Sequence, residues 1–131
     1  MQGFRLALVG YVLAFFGTAV ASEDPPAEHV SWMKDMGKNF GAIRKGDNVK
    51  ANADAMMLTL KDVGKFWKAR NSEIASASCK KNFEGAKAVS EAAAKDDKAG
   101  IADGIKIIGA GCKGCHDQHR EKISETVNKI K

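Results

Sequence analysis

The sequence predicts an all-α fold, an antiparallel four-helix bundle, and three observations carry that expectation. Apolar residues recur at three- and four-residue intervals along most of the chain after residue 26, the period of helices that each bury one face. The two prolines of this 131-residue chain, Pro25 and Pro26, both precede that region. Alternating strand-like runs are essentially missing, and the breaks between periodic segments are short, which favours up-down-up-down neighbours.

The N-terminus reads differently. Residues 1–21 carry one basic residue, Arg5, an apolar run from Leu6 and the small-residue tripeptide Ala19-Val20-Ala21, the anatomy of a secretory signal peptide cleaved after Ala21. An uncleaved anchor is the alternative, but Gly10 and Gly17 interrupt the run and it falls short of the ~20 apolar residues that a span needs. Residues 22–131 then form one exported domain, soluble after signal removal, and the expected location is the periplasm. The formal charge of +5 is spread among interspersed acids, without the basic stripe of a nucleic-acid binder. No nucleic-acid partner is expected.

The first helix is expected from about Pro26 to Arg44, with Met33, Met36, Phe40 and Ile43 on its seam, Asp24 as its cap and Pro25 in its first turn. Gly46 offers the left-handed stop. Asp47 or Asn48 can cap a second helix whose Val49, Ala53, Met56, Leu60, Val63 and Trp67 make the cleanest seam in the chain. The third starts near Asn71 or Ser72 and runs to about Lys95, with Cys79, Phe83, Ala86, Val89 and Ala93 inward. The fourth follows Asp96-Asp97 and carries Ile101, Ile105, Ile108, Cys112, Cys115, His119 and Ile123 along one face.

That fourth helix holds the chemistry. Cys112, Cys115 and His116 form C-x-x-C-H, and residues three and four apart share a helix face. A disulfide between the cysteines suits an exported chain but leaves the histidine without a purpose. A thioredoxin-like pair needs a βαβ context. A zinc site needs a fourth ligand, and Cys79 or His119 could serve only at no recognised spacing. Covalent haem accounts for all three residues: each thiol makes a thioether with a vinyl group, and the adjacent imidazole reaches the iron.

With that motif on its last helix, as Cys112-Lys113-Gly114-Cys115-His116-Asp117-Gln118-His119-Arg120, the chain resembles the class II c-type cytochromes (the cytochrome c-prime family), and specifically their low-spin, methionine-ligated members. The segment WMKDMGKNFGAI, residues 32–43, is similar to the family's first-helix pattern of paired methionines, glycine and apolar residues. The resemblance implies one haem c bound between helices near the C-terminal helix, with Cys112 and Cys115 as its tethers. It further implies His116 and Met33 as iron ligands and Arg120 at a propionate. It implies a non-enzymatic carrier of one electron between redox partner proteins, and a possible homodimer through the first two helices. The alternative is a five-coordinate cytochrome c-prime-like protein that binds nitric oxide or carbon monoxide.

Some positions depart from the family. His29 and Val30 stand where an Arg-Gln pair is frequent, His119 replaces an aromatic, the stretch between the second and third helices is short, and Cys79 has no counterpart. Met36 and His29, each about one turn from Met33, are rival donors. Trp32 and Trp67 read as packing aromatics, and His119 as a packed ring whose free nitrogen meets water. Cys79 is either a small buried hydrophobe or, as the odd cysteine of an exported chain, a link between two chains. No acid–base pair, nucleophile arrangement or phosphate loop argues for catalysis.

Overall fold

The computed structural model describes residues 21–131, so the expected signal peptide lies, but for Ala21, outside the described residues. Four helices follow one another: α1 Ala27–Lys45, α2 Val49–Ala69, α3 Glu73–Ala93 and α4 Lys98–His119. A small hairpin, β1 Arg120–Lys122 and β2 Asn128–Ile130, closes the chain.

The caps follow local chemistry, with two corrections. Ser72 Oγ accepts from Ala75 N–H at 3.2 Å and Asp97 Oδ1 from Gly100 N–H at 3.0 Å, each satisfying an orphan amide of a first turn. Gly46 ends α1 at φ 80°, the left-handed conformation that a residue without Cβ adopts at no steric cost. Asp24 does not cap α1. Pro26 holds that position without a side-chain bond, and Asp24 instead meets Lys129 at 3.6 Å. Asn48 precedes α2 in the left-handed region and makes no cap bond either.

The α2 seam is buried from Ala53 through Met56, Leu60 and Val63 to Trp67, while its first residue, Val49, is half-buried. It joins two apolar clusters. One unites Met36 and Ile43 of α1 with Ala53, Met56 and Leu60 of α2, Ala86 and Val89 of α3 and Ile108 of α4. The other holds Val63, Trp67, Ala75, Cys79 and Ile130. Consecutive helices pack side by side, whereas α1 and α4 meet at most marginally.

The seam of α4 is not the one its hydrophobic pattern suggests. Ile108 is buried, yet its fully covered companions are Gly104 and Gly111, while Ile101, Ile105, Cys112 and Cys115 are half-buried. These glycines let the backbones of α3 and α4 approach closely. A Cβ on Gly104 would lie 2.5 Å from Val89 Cγ2, and one on Gly111 would lie 2.7 Å from Asn82 Cγ and 3.1 Å from the Ser78 carbonyl oxygen.

Helix α4 also ends earlier than its pattern predicts. Arg120 is already extended, with φ −109° and ψ 124°, and Ile123, the expected last seam residue, is 52% exposed. What replaces the lost helical turn is the hairpin, which brings Ile130 back into the second cluster. Glu23 and Ile130 exchange two backbone hydrogen bonds, 2.7 and 2.9 Å, so the entry to α1 and the chain's last residues are pinned together. Apolar burial of one isoleucine and these bonds compensate for ending the helix.

Candidate functional site

Cys112, Cys115 and His116 occupy the last two turns of α4 and are all half-buried. Gly111 and Gly114 seat this stretch directly on α3, where a Cβ on Gly114 would come within 3.2 Å of Ser78 Oγ. Cys112 Sγ lies 3.9 Å from Asn82 Oδ1, a weak thiol-to-carbonyl contact that orients the sulfur. All three cysteines are free thiols. Burial keeps them protonated, pushing Cys115 up to about 11, with a further increment from Cys112, and raising Cys112 itself against the smaller opposing effect of Asn82.

Burial acts on His116 in the opposite direction. It lowers the imidazole pKa, the positive charge of Arg120 lowers it further, and Asp117 partly opposes both. Asp117 is itself paired with Lys113 one turn earlier. The result favours a neutral ring, the form whose free lone pair can bind a metal. Arg120, the expected propionate partner, lies exposed just past the helix, with its backbone in register with Ile130.

Helix α1 carries Met33, Met36 and His29. Met33 is half-buried and packs against both apolar clusters, the second of which also receives Cys115. Met36, by contrast, is buried within the first cluster at 7% exposure. One turn before Met33, His29 is 8% exposed and its Nε2 has no hydrogen-bond partner. Its ring is held by aromatics, with centroids 4.8 Å from Phe66, 5.8 Å from Trp67 and 6.3 Å from Trp32. Burial first, then the charges of Arg70 and His116, lower its pKa, so His29 and His116 sense each other across the space between α1 and α4. An unsatisfied buried nitrogen costs about 1–3 kcal/mol and calls for an explanation. The sequence pattern alone showed a histidine one turn from Met33, and only the surrounding aromatic cage reveals that it is sealed from water.

Two expectations change here. The free nitrogen of His119 does not meet water, because the ring lies on Trp67 at 4.5 Å and both nitrogens have protein partners. Nδ1 is 3.3 Å from the Lys131 carbonyl oxygen, which can only accept, so that nitrogen carries the hydrogen. Nε2 then accepts from the Ser72 hydroxyl at 2.8 Å. So occupied, His119 is not available as a fourth zinc ligand. Among the described residues no three His, Cys, Asp or Glu side chains are grouped as a metal cage.

Cys79 is the second. It is 8% exposed inside the second cluster, and burial, followed by Cys115 and Cys112, pushes its thiol up to about 12. A thiol so enclosed is not placed to link two chains, and its nearness to the motif cysteines is a tertiary feature that no sequence spacing marks.

Two clefts, of about 480 and 490 Å³, lie where the end of α1 and the start of α2 meet the start of α4. Both are lined by Val49, Asp96 and Ile101, and the first also by Ile43, well removed in sequence and along α4 from Cys112. The C-terminal half of α4 therefore stands as the candidate site on side-chain chemistry. No family model matches the chain, and neither a curated protein nor a solved structure matches it.

Proposed function

We propose that the chain is an exported, periplasmic c-type cytochrome that carries one electron on a single haem c, and is not an enzyme. The observation that carries this reading is that two free thiols and an imidazole, Cys112, Cys115 and His116, lie half-buried together in the last two turns of α4, where Cys115 packs against the same apolar cluster as Met33 of α1. The residues present fit the group: the thiols sit on one helix face, and a buried nitrogen on α1 lacks a partner. An antiparallel up-down-up-down course of the four helices would bring the α1 donors to the same end as the motif.

Cys112 and Cys115 would each form a carbon–sulfur bond to a vinyl carbon, the thiol hydrogen passing to the neighbouring vinyl carbon. His116 would hold one axial position and Met33 the other, and Arg120 would meet a propionate. Bound in this way, the iron supplies a centre that gains and loses one electron. The contacting rings of Trp32, Phe66 and Trp67 would reduce the water near the iron, which would limit reorganisation on electron exchange. Redox partner proteins are the expected partners, and the 64% exposed Leu58 on α2 would suit a homodimer through the first two helices.

Met33→Leu tests the ligand that separates a carrier from a gas binder. The ferrous parent should bind carbon monoxide slowly, because the thioether must first leave, and the ferrous variant should bind it at least about tenfold faster, equivalent to about 1.4 kcal/mol. Free uptake of carbon monoxide by the parent would instead support the five-coordinate, gas-binding alternative.

A further inference from the structure

Met33 packs against the same apolar cluster as Cys115, and it is not the sole side chain with a donor atom on that stretch of α1. His29 stands four residues earlier, a spacing that places both side chains on one face within a turn of each other. Its Nε2 is enclosed, unpartnered and held among Trp32, Phe66 and Trp67. As the Nδ1–H tautomer, this ring has an unused lone pair on Nε2. The histidine is also not spare packing: a phenylalanine would fill the same cage without an orphan nitrogen.

The two donors differ in kind. A thioether is soft and favours the ferrous state, whereas imidazole is the harder donor and favours the ferric state. On the haem reading given above, on which this inference rests, we propose that His29 is a second axial donor: its Nε2 takes the sixth position in the ferric protein, and Met33 Sδ takes it on reduction. In that reading the reductant would supply one electron, and the protein's own change would be that His29 Nε2 leaves the iron and Met33 Sδ takes its place. Neither side chain gains or loses a proton, because the imidazole is bound as its Nδ1–H tautomer and the thioether carries none. The sixth ligand thus follows the oxidation state, and ferric iron is stabilised more than a histidine–methionine pair alone would allow.

The experiment uses the full holoprotein and reads absorption and electron paramagnetic resonance in both oxidation states, with ascorbate or dithionite as reductant. Variants are His29→Phe, which keeps a ring in the aromatic cage, His29→Ala, Met33→Leu and the double variant His29→Phe/Met33→Leu. The ferric parent should be low-spin without the weak far-red sulfur-to-iron band, and His29→Phe should gain that band and shift the reduction potential upward. Met33→Leu should leave the ferric spectrum as it is, and the double variant should be high-spin. A ferric parent that already shows the sulfur band, or a ferric spectrum and potential unmoved by both His29 variants, would overturn the proposal while leaving the cytochrome reading intact. Protein from which the pigment is extracted by acid-acetone, or which holds none, defeats that reading and this inference together.

Discussion

Serine at both Cys112 and Cys115 is expected to give protein that is colourless or loses its pigment on gel filtration, whereas the parent keeps it. The effect is large because two covalent bonds disappear and only axial coordination remains. Stability should fall with it. A group bound to the native state at a thousandfold over its dissociation constant contributes about 4 kcal/mol, and the protein's own apolar clusters cover Met33, Cys112 and Cys115 only in part. Denaturant midpoints of parent and variant measure this loss. Equal midpoints and an equally tight pigment in the double serine variant would mean that the cysteines hold nothing.

The second large effect is structural and lies one residue away. Leucine at Gly111 must place a Cβ 2.7 Å from Asn82 Cγ and 3.1 Å from the Ser78 carbonyl oxygen, with three further carbons beyond. Asn82 is buried and cannot swing aside into water, so α3 and α4 must separate. Overpacking of this kind costs about 3 kcal/mol. The same separation would tilt Cys112 away from Asn82, so haem attachment during expression should fall alongside the midpoint. Gly37→Leu is the control, since no atom lies within 4 Å of a Cβ there, and it should change the midpoint by less than about 1 kcal/mol.

Sequence pattern and structure agree most closely where side chains carry the signal. Each α2 seam residue from Ala53 to Trp67 is buried as its spacing predicts, because a helix with a single apolar stripe has one way to hide it. On α4 the pattern misleads, since the contact with α3 is made by Gly104 and Gly111, and a glycine leaves no mark on a hydrophobicity plot. Ile123 extends the helical rhythm by sequence, yet the chain turns into β1 three residues before it, drawn by the burial of Ile130 and the bridge to Glu23. Such long-range competition is invisible to local spacing.

The candidate site divides in the same way. Cys112, Cys115 and His116 are legible from three residues of spacing, because the chemistry needs them on one helix face. His29 is not. Its significance comes from Phe66 and Trp67, nearly forty residues away in sequence, which seal its Nε2 from solvent. Cys79 and His119 were likewise open in sequence, and each is settled by a tertiary neighbour: the cluster around Trp67 for the thiol, Ser72 and Lys131 for the imidazole.

Acid-acetone extraction of the full chain, purified from a host able to export it and attach haem, decides whether haem is joined to the sulfurs of Cys112 and Cys115. Axial bonds break in acid while thioethers survive. The account predicts that the red colour stays with the precipitated polypeptide and that the intact mass exceeds that of the mature chain by one haem. Colour passing into the solvent, or a chain of unmodified mass, would contradict it.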